Sequence, residues 1–187
     1  SNDHAVAKIY QAKGRPQFNP LIVHVANVQT ARRFVQWNAL ADQLAQAFWP
    51  GPLTLVLPRK KDAVLSDLLS AGLPTIAIRV PKHPVAKALL TQFGGAVAAP
   101  SANPSGQISP TSPAHVRSGL DGRIDAIVDG AVCTVGLEST IVQLDDGAVL
   151  LRPGGVAVED IEKEIGRPVS IRPNVEKITA PGQLNSH

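Results

Sequence analysis

The 187-residue sequence contains no methionine and only one cysteine, and it has no long apolar run. Because Cys133 alone cannot close an internal disulfide, the chain fits a reducing compartment, and we expect a cytoplasmic protein. No apolar stretch approaches the roughly 20 residues that span a bilayer, and no secretory signal opens the chain, so we expect a soluble protein without a membrane partner. The missing methionine indicates that these residues are not a complete translation product unless the initiator was removed.

The common signatures of nucleotide and metal sites are also missing. The sequence has no GxGxxG, no GxxxxGK[ST], no HExxH and no CxxC pair. Any nucleotide site must therefore be built in another way. The formal charge of +3 and the pI of about 9.2 permit an anionic partner, either a nucleotide or a nucleic acid, but they fall short of a dedicated nucleic-acid surface.

Apolar periodicity and turn residues predict an alternation of helices and strands in one domain-sized chain. Helices are predicted at residues 3–13, 30–49 (in two pieces), 63–70, 83–93, 112–120 and 158–165. Strands are predicted at residues 21–25, 53–57, 75–80, 96–99, 124–128, 139–144, 148–151 and 168–172, with a hairpin turn at 145–147. Helix–strand alternation before residue 100, followed by a strand-rich second half, predicts an α/β fold with a mixed sheet.

Residues 96–111, with the sequence AVAAPSANPSGQISPT, combine a small apolar strand with a polar loop. We expect the strand to lie buried between two covered faces, and Pro100 to end it. The loop is rich in hydroxyl and amide side chains, and ligands of open α/β sheets collect where strands end at their carboxyl side. An ordinary surface turn has the same composition, so the loop alone leaves both interpretations open.

Four charged or titratable residues stand out, each with an ordinary structural explanation beside a functional one. Arg79 ends a predicted buried strand, where a cation requires an anion unless the strand is an edge strand and the side chain lies in solvent. Lys13 and Arg15 follow the first helix and could simply complement its dipole. His24 lies in an apolar strand, where a lone histidine is more often a core residue than a ligand.

Four short motifs follow one another along the chain: KGRP with NPLIVH at residues 13–24, PGPLT at 50–54, SAN at 101–103 and GLEST at 136–140. In this order they closely resemble the YrdC family, the threonylcarbamoyl-AMP synthases, whose signature is a KxR followed much later by an SxN. The resemblance extends from residue 3 to about residue 166.

The resemblance implies a YrdC-like twisted mixed sheet with flanking helices around a large open cavity. It implies a nucleotidyltransferase that condenses L-threonine, bicarbonate and ATP to threonylcarbamoyl-AMP and pyrophosphate, the first step toward threonylcarbamoyladenosine in tRNA. Mg²⁺ would arrive with the ATP phosphates, and no tightly bound protein metal is expected. Further expected partners are tRNA or double-stranded RNA and the downstream tRNA-modification proteins.

The resemblance also implies functional residues, position by position. Lys13 and Arg15 would be catalytic. The expected ATP contacts are Arg15, Asn19, Thr75, Ser101, Asn103, Ser109 and Arg152. The expected L-threonine contacts are His24, Arg79, the backbone at Ala99 and the hydroxyl of Ser139.

Two departures from the family pattern concern the ends of the chain. Family members carry an upstream strand and a PTETxYG loop that helps enclose threonine, and residues 180–187 resemble a linker that leads to a second domain. We therefore expect a catalytic domain at 1–172 and the start of an interdomain linker at 173–187, within a longer two-domain synthase that is incomplete at both ends.

Other functions stay open at this stage. A carbamoyltransferase of hydrogenase maturation contains a similar domain, but its acylphosphatase-like and zinc-finger segments have no counterpart here. An RNA-binding module is a second alternative, which a steep salt dependence would reveal, and a structural role is a third.

Overall fold

A computed structural model describes residues 2–171, and a seven-stranded mixed sheet runs through them. The helices are α1 (Asp3–Lys13), α2 (Val28–Ala31), α3 (Ala39–Phe48), α4 (Asp67–Ser70), α5 (Pro84–Phe93), α6 (Pro113–Leu120) and α7 (Val158–Ile165). The strands are β1 (Ile22–His24), β2 (Leu53–Pro58), β3 (Thr75–Arg79), β4 (Val97–Ala98), β5 (Thr140–Leu144), β6 (Ala148–Arg152) and β7 (Ser170–Ile171).

The strand order is β4-β1-β3-β2-β5-β6-β7. Three neighbouring pairs are parallel, β1 with β3, β2 with β5 and β6 with β7, and the other three are antiparallel. The register places His24 directly opposite Arg79 at the adjacent ends of β1 and β3. The predicted α/β fold with a mixed sheet is confirmed.

The two faces of the sheet are covered differently. Leu55 and Ile78 point to one face and belong to the large core, which the inner sides of α1, α3 and α7 complete. The alternate residues of β1, β2, β3 and β5 form a small second cluster on the other face, consisting of Ile22, Val56, Ala77 and Ile141. Because strand side chains alternate, His24 and Arg79 lie on this second face together with Ile22 and Ala77.

Capping residues explain where several helices begin and end. Asn2, Asn27 and Asn38 each accept a backbone N–H from the first turn of the helix that follows. Gly14 ends α1 in the left-handed conformation, with φ of 60°. The chain therefore turns sharply after Lys13, and Arg15 is directed toward β1 instead of continuing the helix.

Three sequence predictions differ from the structure. Residues 124–128 do not form a strand: they pair with no neighbouring strand, and Val128 is 62% exposed, because an apolar run becomes a strand only where a partner accepts its hydrogen bonds. The strand at 96–99 is only Val97–Ala98, half-buried at the sheet edge, so the expectation of two covered faces was wrong. The helix at 63–70 is limited to Asp67–Ser70, after the cap of Ser66.

The hairpin between β5 and β6 and the final short strand β7 are confirmed. Arg172 and the predicted linker at 173–187 lie outside the described residues. Within residues 2–171, no helix combines the length and the apolar character needed to cross a bilayer.

Candidate active site

A cavity of about 620 Å³ opens on the sparsely covered face of the sheet. Ile22 and His24 of β1 and Arg79 of β3 form its floor, close to the ends of their strands. The opposite walls come from α5, the loop at 99–113, the start of α6 and the irregular segment 127–139. The polar loop that follows β4 therefore lies at a cavity and is not an ordinary surface turn.

Arg15 reaches the cavity from the turn after α1. Its Nε donates to the Asn19 carbonyl at 3.1 Å, and its Nη2 donates to Asn19 Oδ1 at 2.7 Å and to the Pro20 carbonyl at 2.8 Å. Within residues 2–171 its Nη1 has no partner, so two N–H groups of the fork stay available for a ligand. Asn19 is 1% exposed and acts as the support that aims this guanidinium.

Arg79 is held in a similar way at the end of β3. Its Nε donates to the Gly51 carbonyl at 2.9 Å, and the Gly51 N–H donates to the Val80 carbonyl at 3.0 Å. Neither Nη atom of Arg79 has a hydrogen-bond partner in the described part of the chain. Burial lowers the pKa of Arg79 and the nearby Glu138 partly offsets this, but an arginine stays charged at neutral pH.

Arg152 joins the cavity from the end of β6. Its Nε and Nη2 donate to the Ser139 carbonyl at 3.1 and 2.8 Å, and Nη2 lies 3.1 Å from the Ser139 hydroxyl. That hydroxyl also lies 2.8 Å from the Thr54 hydroxyl of β2. A hydrogen bond therefore joins the motifs PGPLT and GLEST, which explains why both lie beside the cavity.

Lys13 ties α1 to the SxN loop. The residue is 5% exposed, its ammonium donates to the backbone carbonyls of Ser101 and Asn103, and the Ser105 N–H donates to the Lys13 carbonyl at 2.8 Å. Burial, and then the charge of Arg15, lower the pKa of Lys13 to about 8. The Lys13 ammonium thus supports the loop from behind the cavity wall.

Asn103 stabilises the same loop from inside. Its Nδ2 donates to the Pro104 and Gln107 carbonyls at 3.0 and 2.8 Å, and its Oδ1 is buried without a partner in residues 2–171. The lysine and the asparagine of the KxR and SxN signature therefore meet, and together they fix the loop that carries Ser101.

His24 is neutral at the floor of the cavity. Burial and then the adjacent Arg79 charge lower its pKa to about 4. Its Nδ1 is buried and has no hydrogen-bond partner among the described residues. Because the imidazole is uncharged, Arg79 carries the positive charge at this corner of the cavity.

The predicted site residues fall into three groups. Those that line the cavity are Arg15, His24, Arg79, Ala99, Ser101, Ser109, Ser139 and Arg152. Lys13, Asn19 and Asn103 lie behind the wall and hold it in place. Thr75 shares the cavity face with Arg79 but begins β3, four residues away, and does not line the cavity. The roles assigned to all of these residues stay predictions.

Sequence reasoning missed one charged residue of the cavity. Glu138 Oε1 accepts the Ser109 hydroxyl at 2.6 Å, and its Oε2 lies 3.7 Å from Arg152 Nη2. Glu138 is the third residue of the GLEST motif, but the resemblance assigns a role only to Ser139 of that motif. Residues 2–171 contain no cluster of three or more histidine, cysteine or acidic side chains that could hold a metal.

The sequence model of the Sua5/YciO/YrdC family, described as telomere recombination, matches residues 1–154. The chain belongs to this family. The YrdC resemblance predicted from four motifs is thereby confirmed. A crystal structure of E. coli YciO has a TM-score of 0.76 at 22% identity, covering 86% of this chain and 78% of that one, and this similarity shows the fold alone.

Individual members of the family are similar to this chain in sequence and in structure. Threonylcarbamoyl-AMP synthase of Bacillus subtilis is 49% identical, covering 100% of this chain and 55% of the relative. The synthase of Halorhodospira halophila is 41% identical over 81% of this chain and 78% of its own length. A crystal structure of Pyrococcus abyssi Sua5 complexed with L-threonine has a TM-score of 0.92 at 43% identity, covering 97% of this chain and 55% of that one. The chain thus spans about half the length of the Bacillus and Pyrococcus relatives.

Proposed function

We propose that this chain condenses L-threonine, bicarbonate and ATP into threonylcarbamoyl-AMP and pyrophosphate. The observation that carries the proposal is the convergence of Arg15, Arg79 and Arg152 on one cavity with N–H groups left for ligands. A triphosphate and an amino-acid carboxylate are the anions that such donors bind. The names of the Bacillus and Halorhodospira relatives, and the threonine complex of the Pyrococcus relative, support the same reaction.

The threonine side of the site would lie over the ends of β1 and β3. Arg79 has both Nη atoms available to form a forked pair with the threonine carboxylate. The neutral His24 lies beside it without adding repulsion to the threonine ammonium. The backbone at Ala99 and the hydroxyl of Ser139 would complete this pocket.

The nucleotide side would lie between the turn after α1 and the polar loop. Arg15 and Arg152 would contact phosphates, and Ser101 and Ser109 would add neutral donors. Three residues, Lys13, Asn19 and Asn103, would position these groups. Their side chains form hydrogen bonds with backbone carbonyls or with the Arg15 guanidinium. Mg²⁺ bound to the triphosphate would neutralise part of its negative charge.

The chemistry requires positioning more than a protein nucleophile. The threonine amine combines with bicarbonate to give a carbamate with loss of water. A carbamate oxygen then attacks the α-phosphate of ATP, the bond to the β-phosphate breaks, and pyrophosphate leaves. The cavity would hold the two anions in line and disperse the negative charge that develops at the α-phosphate. The mixed anhydride product would then serve tRNA modification through transfer proteins.

We do not propose a carbamoyltransferase function for this chain. A full-length HypF structure matches with a TM-score of 0.70 at 16% identity, a similarity that shows the fold alone. The relatives named as threonylcarbamoyl-AMP synthases are far closer in sequence.

The test is direct detection of the product. The chain is incubated with ATP, Mg²⁺, L-threonine and ¹³C-bicarbonate, and threonylcarbamoyl-AMP is measured by mass spectrometry together with released pyrophosphate. We expect a product that carries the isotope and requires all three substrates, a loss of product in Arg79→Ala, and no loss in Arg33→Ala, which changes an exposed arginine outside the cavity. ADP and phosphate in place of pyrophosphate would refute the proposed reaction.

A further inference from the structure

Glu138 is the acidic side chain of a cavity whose other charged lining residues are arginines. Among the described lining residues it is the sole carboxylate, facing Arg15, Arg79 and Arg152. It also lies close enough to Lys13, Arg79 and Arg152 to raise the pKa of each against the effect of burial. The proposed reaction gives this carboxylate no role.

The two oxygens of Glu138 contact donors proposed to bind the nucleotide. Oε1 accepts the Ser109 hydroxyl at 2.6 Å, and Oε2 lies 3.7 Å from Arg152 Nη2. The first contact is short for a hydroxyl donor, as hydrogen bonds to charged acceptors are. A phosphate that binds to Ser109 and Arg152 would have to take the position that the carboxylate occupies.

The backbone of Glu138 is more tightly enclosed than its side chain. The Glu138 carbonyl accepts the Gly155 N–H at 2.9 Å, and a Cβ added at Gly154 would lie 2.4 Å from that same oxygen. The side chain, by contrast, is 42% exposed toward the open cavity. The carboxylate can therefore turn away through its own rotamers without moving the strand ends that hold Ser139 and Arg152.

A phosphate and a carboxylate cannot share the same donors without strong repulsion. We infer that Glu138 is an exchangeable internal anion, which holds Ser109 and Arg152 together before nucleotide binds and which the phosphates of the bound nucleotide displace. The inference deepens the nucleotide side of the proposed function and rests on it. Glu138 thereby keeps the arginines from binding weak anions and makes the polar loop change partners when nucleotide enters.

The experiment measures the affinity of the cavity for inorganic pyrophosphate by calorimetry in the absence of divalent cations. Glu138→Gln keeps the size of the side chain and an oxygen acceptor for Ser109 but removes the charge. We expect it to bind pyrophosphate about fivefold more tightly than the wild type, because the competing charge is gone. Glu164→Gln is the matched control: it makes the same charge change on the exposed side of α7, and its affinity should equal that of the wild type.

A second variant, Glu138→Ala, is measured in case Glu138→Gln does not fold. Thermal melts show which variants are folded. Tighter binding in either folded variant supports the inference. Unchanged affinity with a lowered melting temperature would make Glu138 a merely structural residue. Weaker binding that appears only with Mg²⁺ would make it a cation ligand. Both results would overturn the inference.

The failure of this inference can be told from failure of the proposed function. If the wild type forms threonylcarbamoyl-AMP and Glu138→Gln gains no pyrophosphate affinity, the inference alone is wrong. If Glu138→Gln gains affinity and no threonylcarbamoyl-AMP is formed by the wild type, the anion exchange stands and the proposed reaction falls.

Discussion

The cavity has two sides of different construction. On the sheet side, Arg79 and His24 extend from paired strand ends, and their backbones are fixed by the β1–β3 register. On the other side, residues 124–139 form no helix or strand, and Val128, Val135 and Leu137 are each more than 60% exposed. One wall is thus held by sheet hydrogen bonds and a packed core, and the other by a few contacts.

The difference indicates where recognition is fixed and where the site can change. Each arginine uses some of its N–H groups on backbone carbonyls, which sets its position, and Arg15 and Arg79 keep others for a ligand. The irregular wall offers mostly apolar side chains and the partly exposed Glu138. We therefore expect substitutions on the sheet side to affect stability and substrate affinity strongly, and substitutions of the exposed apolar residues on the irregular side to affect them weakly.

The largest expected effect comes from Gly154, where β6 leaves the sheet against β5. A Cβ there would lie 2.4 to 2.5 Å from backbone atoms of Glu138, Ser139 and Thr140, which cannot move aside independently. We expect Gly154→Ala to lower the free energy of unfolding by roughly 3 kcal/mol, measured by urea denaturation. Gly147→Ala, in the hairpin turn with nothing within 4 Å, is the control and should change it little.

A smaller loss of stability is expected when the buried side chain of Ile78, on the sheet side, is shortened. It is 0% exposed, so Ile78→Val should cost about 1 kcal/mol of unfolding free energy through the lost methylene. Loss of less than a few tenths of a kcal/mol would mean that the core on the opposite face of the sheet from the cavity is loosely packed.

The pH dependence of stability tests whether the Lys13 ammonium is buried beneath the SxN loop. The pKa of Lys13 is about 8 in the folded chain and 10.5 in the unfolded chain, so the unfolded chain binds more protons between these values. The stability of the wild type relative to Lys13→Met should therefore rise as the pH increases from 8 toward 10.5, and stay constant below about pH 7. A flat difference across this range in paired denaturation curves would mean that the ammonium is not buried.

The smallest effect is expected in the polar loop. Ile108 is 91% exposed, so Ile108→Ser should change the free energy of unfolding by less than about 0.5 kcal/mol. A larger loss would show that this loop is packed as firmly as the sheet and would weaken the contrast between the two walls.

The sequence allowed most of the fold to be predicted because local signals and tertiary packing agree. Residues 158–165 show this, since their apolar period and terminal glycine define α7 without ambiguity. Residues 124–128 show the opposite, because their apolar composition resembles a strand while the sheet offers them no partner. Burial at 96–99 could not be predicted, since it depends on which strand becomes the edge.

The candidate site was predictable only in part. A charged residue in an apolar strand identified Arg79, and the family resemblance carried by KxR and SxN identified the two segments that Lys13 joins. Motifs could not show that Lys13 bonds carbonyls behind the wall, because that depends on the direction in which α1 ends. Nor could they show that Glu138 bridges Ser109 and Arg152, residues distant in sequence.

The most direct test of the central claim, that fixed arginines on the sheet side recognise the substrate anions, is the threonine affinity of Arg79→Lys measured by calorimetry. Lysine keeps the charge but cannot form a planar fork, so we expect threonine to bind about tenfold more weakly, with ATP affinity changed less than about twofold. Arg33→Lys, at an exposed position away from the cavity, should leave both affinities unchanged. Equal losses for threonine and ATP in Arg79→Lys, or none for either, would contradict the account.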